Sequence, residues 1–382
     1  MKYVKLGDMC EVLNGFAFKS DKYVNKGIRV IRITNVQKGF VEDESPAFYP
    51  QSEESNVKQY ILNENDLLIS LTGNVGRVAV LTKEFLPAAL NQRVGCIRIK
   101  KEDLISREYL FTYLNSDLFE NDCIFSAKGI AQKNMSTEWL KNYEIPVYEK
   151  EKQTLISESV FKVLKIIQNY KKQLEKYDTL IKSRFIEMFG DPVQNPKGWK
   201  KTELGNLCKE VRYGTSKPAS ENGKYTYLRM NNITYEGELD LTNIKSIDIS
   251  EDELPKCSVR KGDVLFNRTN SIELCGKTCL YKLDKTMVIA GYIIRVRVSE
   301  KLNPQYVSTL FNTKSIKKLL REMAKGAVNQ ANINAQEMQS IQIPVPPISL
   351  QNEYESFVQQ IDKSKFEIAN SLKRLYNKGM LS

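Results

Sequence analysis

Cys275 and Cys279 stand close together, with further cysteines at Cys10, Cys96, Cys123, Cys208 and Cys257, and the 382-residue chain contains 0 histidines. Structural zinc draws on clustered Cys and His at Cys-x-x-Cys-like spacing. No such pair occurs here, so buried free thiols in a reducing compartment are expected instead of a metal. The missing imidazole also removes Ser-His-Asp and Cys-His mechanisms and any histidine general base. There is no G-x-G-x-x-G run and no Walker loop. A self-contained methyltransferase would need an Asn-Pro-Pro or Asp-Pro-Pro motif, to which Asn195-Pro196-Lys197-Gly198 is only distantly similar. A nuclease of the Pro-Asp…Glu-x-Lys type lacks its Pro-Asp dipeptide. The expectation is a non-catalytic chain with no catalytic, cofactor-binding or metal-binding residues of its own.

Recognition chemistry is better represented. Polar and basic residues cluster on glycine-containing turns, where backbone amides can approach phosphates. In the first half these are Thr72, Gly73, Asn74, Arg77, Asn91, Gln92, Arg93, Lys128, Gln132 and Lys133. In the second they are Asn267, Arg268, Thr269, Asn270, Lys325, Asn329, Gln330 and Asn332. Arginine suits guanine, and asparagine or glutamine suits adenine, through paired hydrogen bonds in the major groove. The same residue types also serve as turn-stabilising amides or solvated cations. Arg32 with Asn35, and Arg229 with Asn231 and Asn232, occupy equivalent strand ends; for Asn35 and Asn232 a structural hydrogen bond is the expectation.

The charge balance agrees with a polyanionic partner. Lys and Arg outnumber Asp and Glu 57 to 46, a formal net charge of +11, which favours nucleic acid through counterion release, although many basic proteins never touch it. No apolar run approaches the roughly 18 residues that span a bilayer. Residues Met1 to Glu11 are charged and carry no signal-peptide core. A cytoplasmic protein without membrane contact is expected.

The elements that carry these turns occur twice. Leu6-Gly7-Asp8-Met9-Cys10 returns as Leu204-Gly205-Asn206-Leu207-Cys208, Asn65-Asp66-Leu67-Leu68 as Gly262-Asp263-Val264-Leu265, and Ile145-Pro146-Val147 as Ile343-Pro344-Val345. The offset stays between 197 and 200 across the half-chain, the mark of a duplicated unit. Each unit alternates short β-like runs with turns, at residues 28–34, 66–71, 77–81 and 94–99, then 225–230, 263–266 and 292–298. A helix follows near 107–120 and again near 304–322, the latter opened by Pro304. Asn91-Gln92-Arg93 is replaced in the second unit by Gly291-Tyr292-Ile293, and the loop after Thr269 is three residues longer than that after Thr72.

Beyond each unit the apolar period becomes helical. Ile156, Val160, Val163, Ile167, Tyr170, Leu174, Tyr177 and Ile181 predict one helix over about 150–188, roughly 55–60 Å long. Leu350, Tyr354, Phe357, Ile361, Ser364, Ile368, Ser371 and Leu375 repeat the stripe. The fold class expected is α+β: two tandem repeated domains, 1–147 and 191–346, separated by long spacer helices, 148–190 and 347–382. The stripes are expected to pair as an antiparallel coiled coil with pseudo-two-fold symmetry, the alternative being that either helix packs on its own domain.

The junction Met188-Phe189-Gly190-Asp191-Pro192-Val193-Gln194-Asn195-Pro196-Lys197-Gly198-Trp199 resembles the link between the first conserved helix and the second recognition domain in type I restriction-modification specificity subunits. The loop Ile69 to Arg77, Leu90-Asn91-Gln92-Arg93 and Gly129-Ile130-Ala131-Gln132-Lys133-Asn134 are similar to recurrent segments of that family's recognition domains. The resemblance covers the whole chain. It implies a subunit that reads a bipartite asymmetric target in double-stranded DNA, one half-site per domain. It further implies two docked methyltransferase (modification) subunits that methylate adenine, and restriction/translocase subunits. S-adenosylmethionine, ATP and Mg then belong to those partners, with no cofactor in this chain. A stand-alone bidentate DNA-binding regulator and a coiled-coil protein-interaction scaffold remain open.

Overall fold

Leu67–Ser70 reads Leu-Leu-Ile-Ser and is buried at every position, as a strand covered on both faces must be. It is an inner strand of an antiparallel sheet ordered Cys10–Asn14, Val94–Ile99, Leu67–Ser70, Val78–Val80. A second sheet is ordered Phe48–Tyr49, Ile28–Ile31, Ala88–Leu90, with the last pair parallel. Lys2–Lys5 pairs with Glu144–Val147 and ties the beginning of the unit to its end.

The computed structural model describes residues 1–127, 134–324 and 331–377. It divides into one unit of Met1–Tyr170 with Asn370–Ser382, and another of Lys171–Ala369. The second unit repeats the plan of the first. Its first sheet runs Cys208–Tyr213, Ile293–Val298, Val264–Asn267, Thr278–Leu280. Its second runs Lys245–Ile247, Tyr225–Leu228, Met287–Ile289, Ser258–Val259, and again one pair, Tyr225–Leu228 with Met287–Ile289, is parallel. Lys201–Glu203 pairs with Gln342–Pro344. The mixed helix and strand content is that of the expected α+β class.

The repeat extends to buried charge. Arg98 donates from Nε and Nη2 to Asp66 at 2.9 and 2.6 Å, and Arg297 does the same to Asp263 at 2.7 and 3.2 Å. Both aspartates also accept a backbone N–H three residues earlier, from Asn63 and Arg260. A desolvated carboxylate is tolerable when its lone pairs are taken in this way. Six of the cysteines are buried and Cys208 is half-buried; burial pushes the thiols of Cys10 and Cys123 up to about 12.

The single helix expected after the strands of each unit is divided in both. In place of single helices near 107–120 and 304–322 there are two in each unit: Arg107–Leu114 then Asp117–Ser126, and Pro304–Phe311 then Lys314–Met323. The break has a local cause. Asn115 turns its amide back to Phe111 O at 3.0 Å while Ser116 accepts from Phe119 N at 3.3 Å. Asn312 and Thr313 do the same toward Ser308 O and from Ile316 N. An Asn-Ser or Asn-Thr pair thus ends one helix and caps the next.

The apolar stripe after the first unit forms a helix at Lys150–Phe189, 40 residues long, about 60 Å at 1.5 Å per residue. Gly190, at φ +78°, ends it, since a Cβ there would lie 2.7 Å from the Pro196 ring. Asp191 then caps Val193 and Gln194, and the Trp199 indole donates to Phe189 O at 3.0 Å. The second stripe forms Ile348–Asn377.

Within the second unit the two helices meet antiparallel. Asp178 pairs with Lys365 at 2.7 Å, and Arg184 with Glu353 at 3.3 Å. The contact also joins the globular core: Phe185 and Phe189 pack with Tyr306 and Tyr354 at ring separations of 4.8–5.6 Å. In the first unit Ile156 packs on the domain core. The alternatives of helix on helix and helix on domain are therefore both realised, because the stripe continues past Ile181 into two phenylalanines wide enough to reach both surfaces.

Candidate nucleic-acid interface

Strand pairing brings three turns of the first unit to one end of its sheet. Asn14 and Ile69 both face Gly95, and Ser70 faces Val94, so the chain turns there after Asn14, after Ser70 and before Val94. Backbone hydrogen bonds join the turns: Gln92 N–H to Phe16 O at 2.9 Å, Leu71 N–H to Arg93 O at 3.1 Å, and Met135 N–H to Leu71 O at 2.8 Å. Thr72 bridges to Asn134. Thr72, Asn91, Gln92, Arg93 and Asn134 are thereby brought together, with Gln92, Arg93 and Asn134 exposed.

The turn from Thr72 to Arg77 is held from below. Ser70, fully buried, accepts from Arg77 N at 3.0 Å and donates to Asn74 O. Gly76, at φ +87°, lies where a Cβ would stand 2.8 Å from Cys123 Cβ, so no side chain fits. Gly73 and Asn74 are left exposed at the tip. Arg77 is half-buried and donates to Gln37 Oε1 at 2.7 Å, so its guanidinium is partly committed within the domain.

The second unit builds the same scaffold. Gly291 N–H donates to Thr215 O at 2.7 Å, Arg268 N–H to Tyr292 O at 2.9 Å, and Ile333 N–H to Arg268 O at 2.9 Å. Thr269 pairs with Asn332 and Asn270 with Ala331. These bonds correct the alignment of the repeats: Asn91-Gln92-Arg93 corresponds to Ala290-Gly291-Tyr292, one residue earlier than the sequence comparison placed it. They also equate Ser70 with Asn267, Leu71 with Arg268, and Asn134 with Asn332.

Asn267 is corrected as a surface candidate. It is fully buried, its amide donating to Thr269 O and Tyr292 O at 3.3 and 3.2 Å while its carbonyl accepts from Asn270 at 3.1 Å. It holds the loop, as Ser70 does. Thr269 is also nearly buried and donates to Asn332 Oδ1 at 2.9 Å. Asn332 is exposed, and Arg268 and Asn270 are half-buried. Lys277, in the place of Arg77, is buried and donates to Met230 O at 2.8 Å; burial lowers its ammonium below the usual lysine range.

Lys128, Gln132, Lys133, Lys325, Asn329 and Gln330 lie outside the described residues. Asn35 and Asn232 are structural. Each accepts the backbone N–H of the arginine three residues earlier, and each donates to a carbonyl across its loop, Glu42 O and Asp240 O.

The sequence reading missed Asn134, Tyr213 and Tyr292. Carrying Asn332 back to its repeat partner yields Asn134. Moving the third turn by one residue yields Tyr292, which is 52% exposed where the first unit shows Arg93. Tyr213, 41% exposed, had no signal beyond its place at a strand end. Among the described residues, no group of three or more His, Cys, Asp or Glu could hold a metal, and no helix is long and apolar enough to cross a membrane.

Comparison with known proteins bears on both repeats. Residues 1–176 and 196–375 match the family model described as the type I restriction modification DNA specificity domain. The chain is 22% identical over 391 residues to the type I restriction enzyme EcoKI specificity subunit of Escherichia coli (strain K12), covering 96% of this chain and 84% of that one. It is 23% identical over 409 residues to the EcoBI specificity subunit of Escherichia coli, covering 98% and 82%. Its fold is similar to that of the S subunit of a type I restriction-modification system from M. genitalium, at a TM-score of 0.57 and 14% identity over 100% of this chain and 94% of that chain.

Proposed function

The chain belongs to the type I restriction modification DNA specificity family, one family domain in each repeat, and from that premise we propose which surface reads DNA and how the two halves differ. It is the non-catalytic DNA-recognition subunit of a type I restriction-modification complex, with DNA and modification and restriction subunits as its partners. In our reading two modification subunits dock on it and supply the S-adenosylmethionine chemistry, restriction subunits supply the ATP- and Mg-dependent work, and the complex acts in the cytoplasm.

The observation that carries the reading is the shared scaffold with exchanged side chains. The same backbone bonds present Arg93 in one unit and Tyr292 in the other, and Leu71 against Arg268. A conserved frame with different tips suits two domains that read unlike half-sites of one duplex, since base edges are discriminated by side-chain chemistry while the frame sets approach.

The test is base-resolution mapping of methylated adenines in DNA from cells that produce this chain with its modification subunit. The expected result is a bipartite, asymmetric motif with a fixed gap, absent without the chain. A continuous motif, or a palindromic one with identical halves, overturns the two-reader assignment.

A further inference from the structure

Resting on that reading, we propose that Arg268 is the guanine reader of the second domain, held for that task by Tyr213 and Asn332, and that the first domain has no counterpart at this position. The backbone of Arg268 is fixed on both sides, its N–H on Tyr292 O and its carbonyl on Ile333 N–H. Its guanidinium carbon lies 4.8 Å from the centre of the Tyr213 ring. Its Nε donates to Asn332 Oδ1 at 3.1 Å, and that oxygen also accepts from Thr269 Oγ1 at 2.9 Å. The Tyr213 ring is itself anchored, its hydroxyl accepting from Ala335 N–H at 2.8 Å.

The plane and one edge of the guanidinium are therefore set before DNA arrives. Among the described residues no hydrogen bond or ion pair uses Nη1 or Nη2 of Arg268. Those two donors form the fork that matches guanine O6 and N7 in the major groove. A phosphate takes either this fork or a lysine's point charge, so it does not by itself call for a held plane. Arg268 instead lies among exposed Asn332, Tyr213 and Tyr292, at the centre of the joined turns. In the first unit Leu71 fills the equivalent place and is buried, so the guanidinium is a feature of one half-site alone.

The experiment compares methylation maps from the complete complex carrying the wild-type chain, Arg268→Lys, Asn332→Ala or Tyr213→Leu. Arg268→Lys keeps the charge and the backbone bonds but loses the fork. The expected result is that one G·C position in one half-site relaxes, its discrimination falling about tenfold or more, while the other half-site stays unchanged. Asn332→Ala and Tyr213→Leu, which disturb positioning, relax the same position less. Unaltered preference at every position overturns the proposal. So does a uniform loss of methylation with the motif intact, which is the pattern of a phosphate contact. If the wild-type chain itself yields no bipartite motif, the two-reader assignment fails and this proposal with it; a normal wild-type motif that Arg268→Lys leaves intact rejects the guanine contact alone.

Discussion

Gln153 accepts the backbone N–H of Ser106 at 2.8 Å and donates to Leu104 O and Tyr148 O at 2.8 and 2.7 Å, so that one fully buried amide fastens the start of the long helix to its domain. Gln351 repeats the arrangement with Asn303 N–H, Lys301 O and Pro346 O at 2.8, 3.2 and 2.8 Å. Replacing either by leucine leaves buried backbone groups without partners, each worth about 1–3 kcal/mol. Gln153→Leu and Gln351→Leu are each expected to lower unfolding free energy by about 2–4 kcal/mol, measured by urea titration. A loss under about 0.5 kcal/mol, the range of ordinary surface changes, would show that water replaces the amide.

Tyr354 carries the corresponding role for the apolar contact in the second unit. It is fully buried against Phe185 and Phe189 and donates its hydroxyl to Ile181 O at 3.2 Å. Tyr354→Ala removes a ring from a close-packed cluster and is expected to destabilise by about 3–5 kcal/mol. Tyr354→Phe removes only the hydroxyl and is expected to lose about 1 kcal/mol. Equal losses for the two would place the energy in the hydrogen bond and not in the packing.

These anchors were only partly legible in the sequence. The long helices and the duplication follow from period and self-similarity, which depend on residue class at fixed spacing. Gln153 and Gln351 lie at matching offsets but in Glu-Lys-Gln and Ser-Leu-Gln, where nothing marks a glutamine as buried. Cys96 and Arg295 make the same point. Each is fully buried at the matching sheet position, opposite Leu68 and Leu265. The arginine can replace a thiol there because Glu210 lies 3.1 Å away and Pro255 O and Ser258 O accept from it. Turn positions were found by type, but the one-residue offset between Arg93 and Tyr292 required the backbone bonds. The two halves of the surface share those bonds and not their side chains.

Lys317 gives the second unit a pH dependence whose sign can be worked out. Burial lowers its ammonium to about 8, with Lys182 and Arg321 acting in the same direction and Glu236 opposing them; the ammonium lies 3.6 Å from the centre of the Tyr235 ring. In the unfolded chain a lysine titrates near 10.4. Below about pH 8 both states hold the proton and the full desolvation penalty is present. Between about 8 and 10.4 the unfolded chain binds more protons, so stability from this group rises with pH and the penalty disappears. Lys317→Met is therefore expected to be more stable than the wild type at pH 7, with the gap closing by pH 10. A gap that stays constant over that range in paired urea titrations would assign the difference to packing alone.

The attachment of each domain through backbone atoms has a consequence for exchange between relatives. Gln153 reaches Ser106, Leu104 and Tyr148 only at main-chain atoms, so the side chains of the first domain can change while the anchor persists. Replacing residues 1–147 with the matching segment of a related specificity subunit, and retaining Gln153, is expected to give a folded chain. Its methylation motif should change in one half-site and keep the other, with adenine methylation still dependent on the modification subunit. Mapping of methylated adenines with the exchanged and parental chains checks this. Altered bases in both half-sites would mean that the domains do not read independently, and that the exchanged tips act on the second surface as well as on their own.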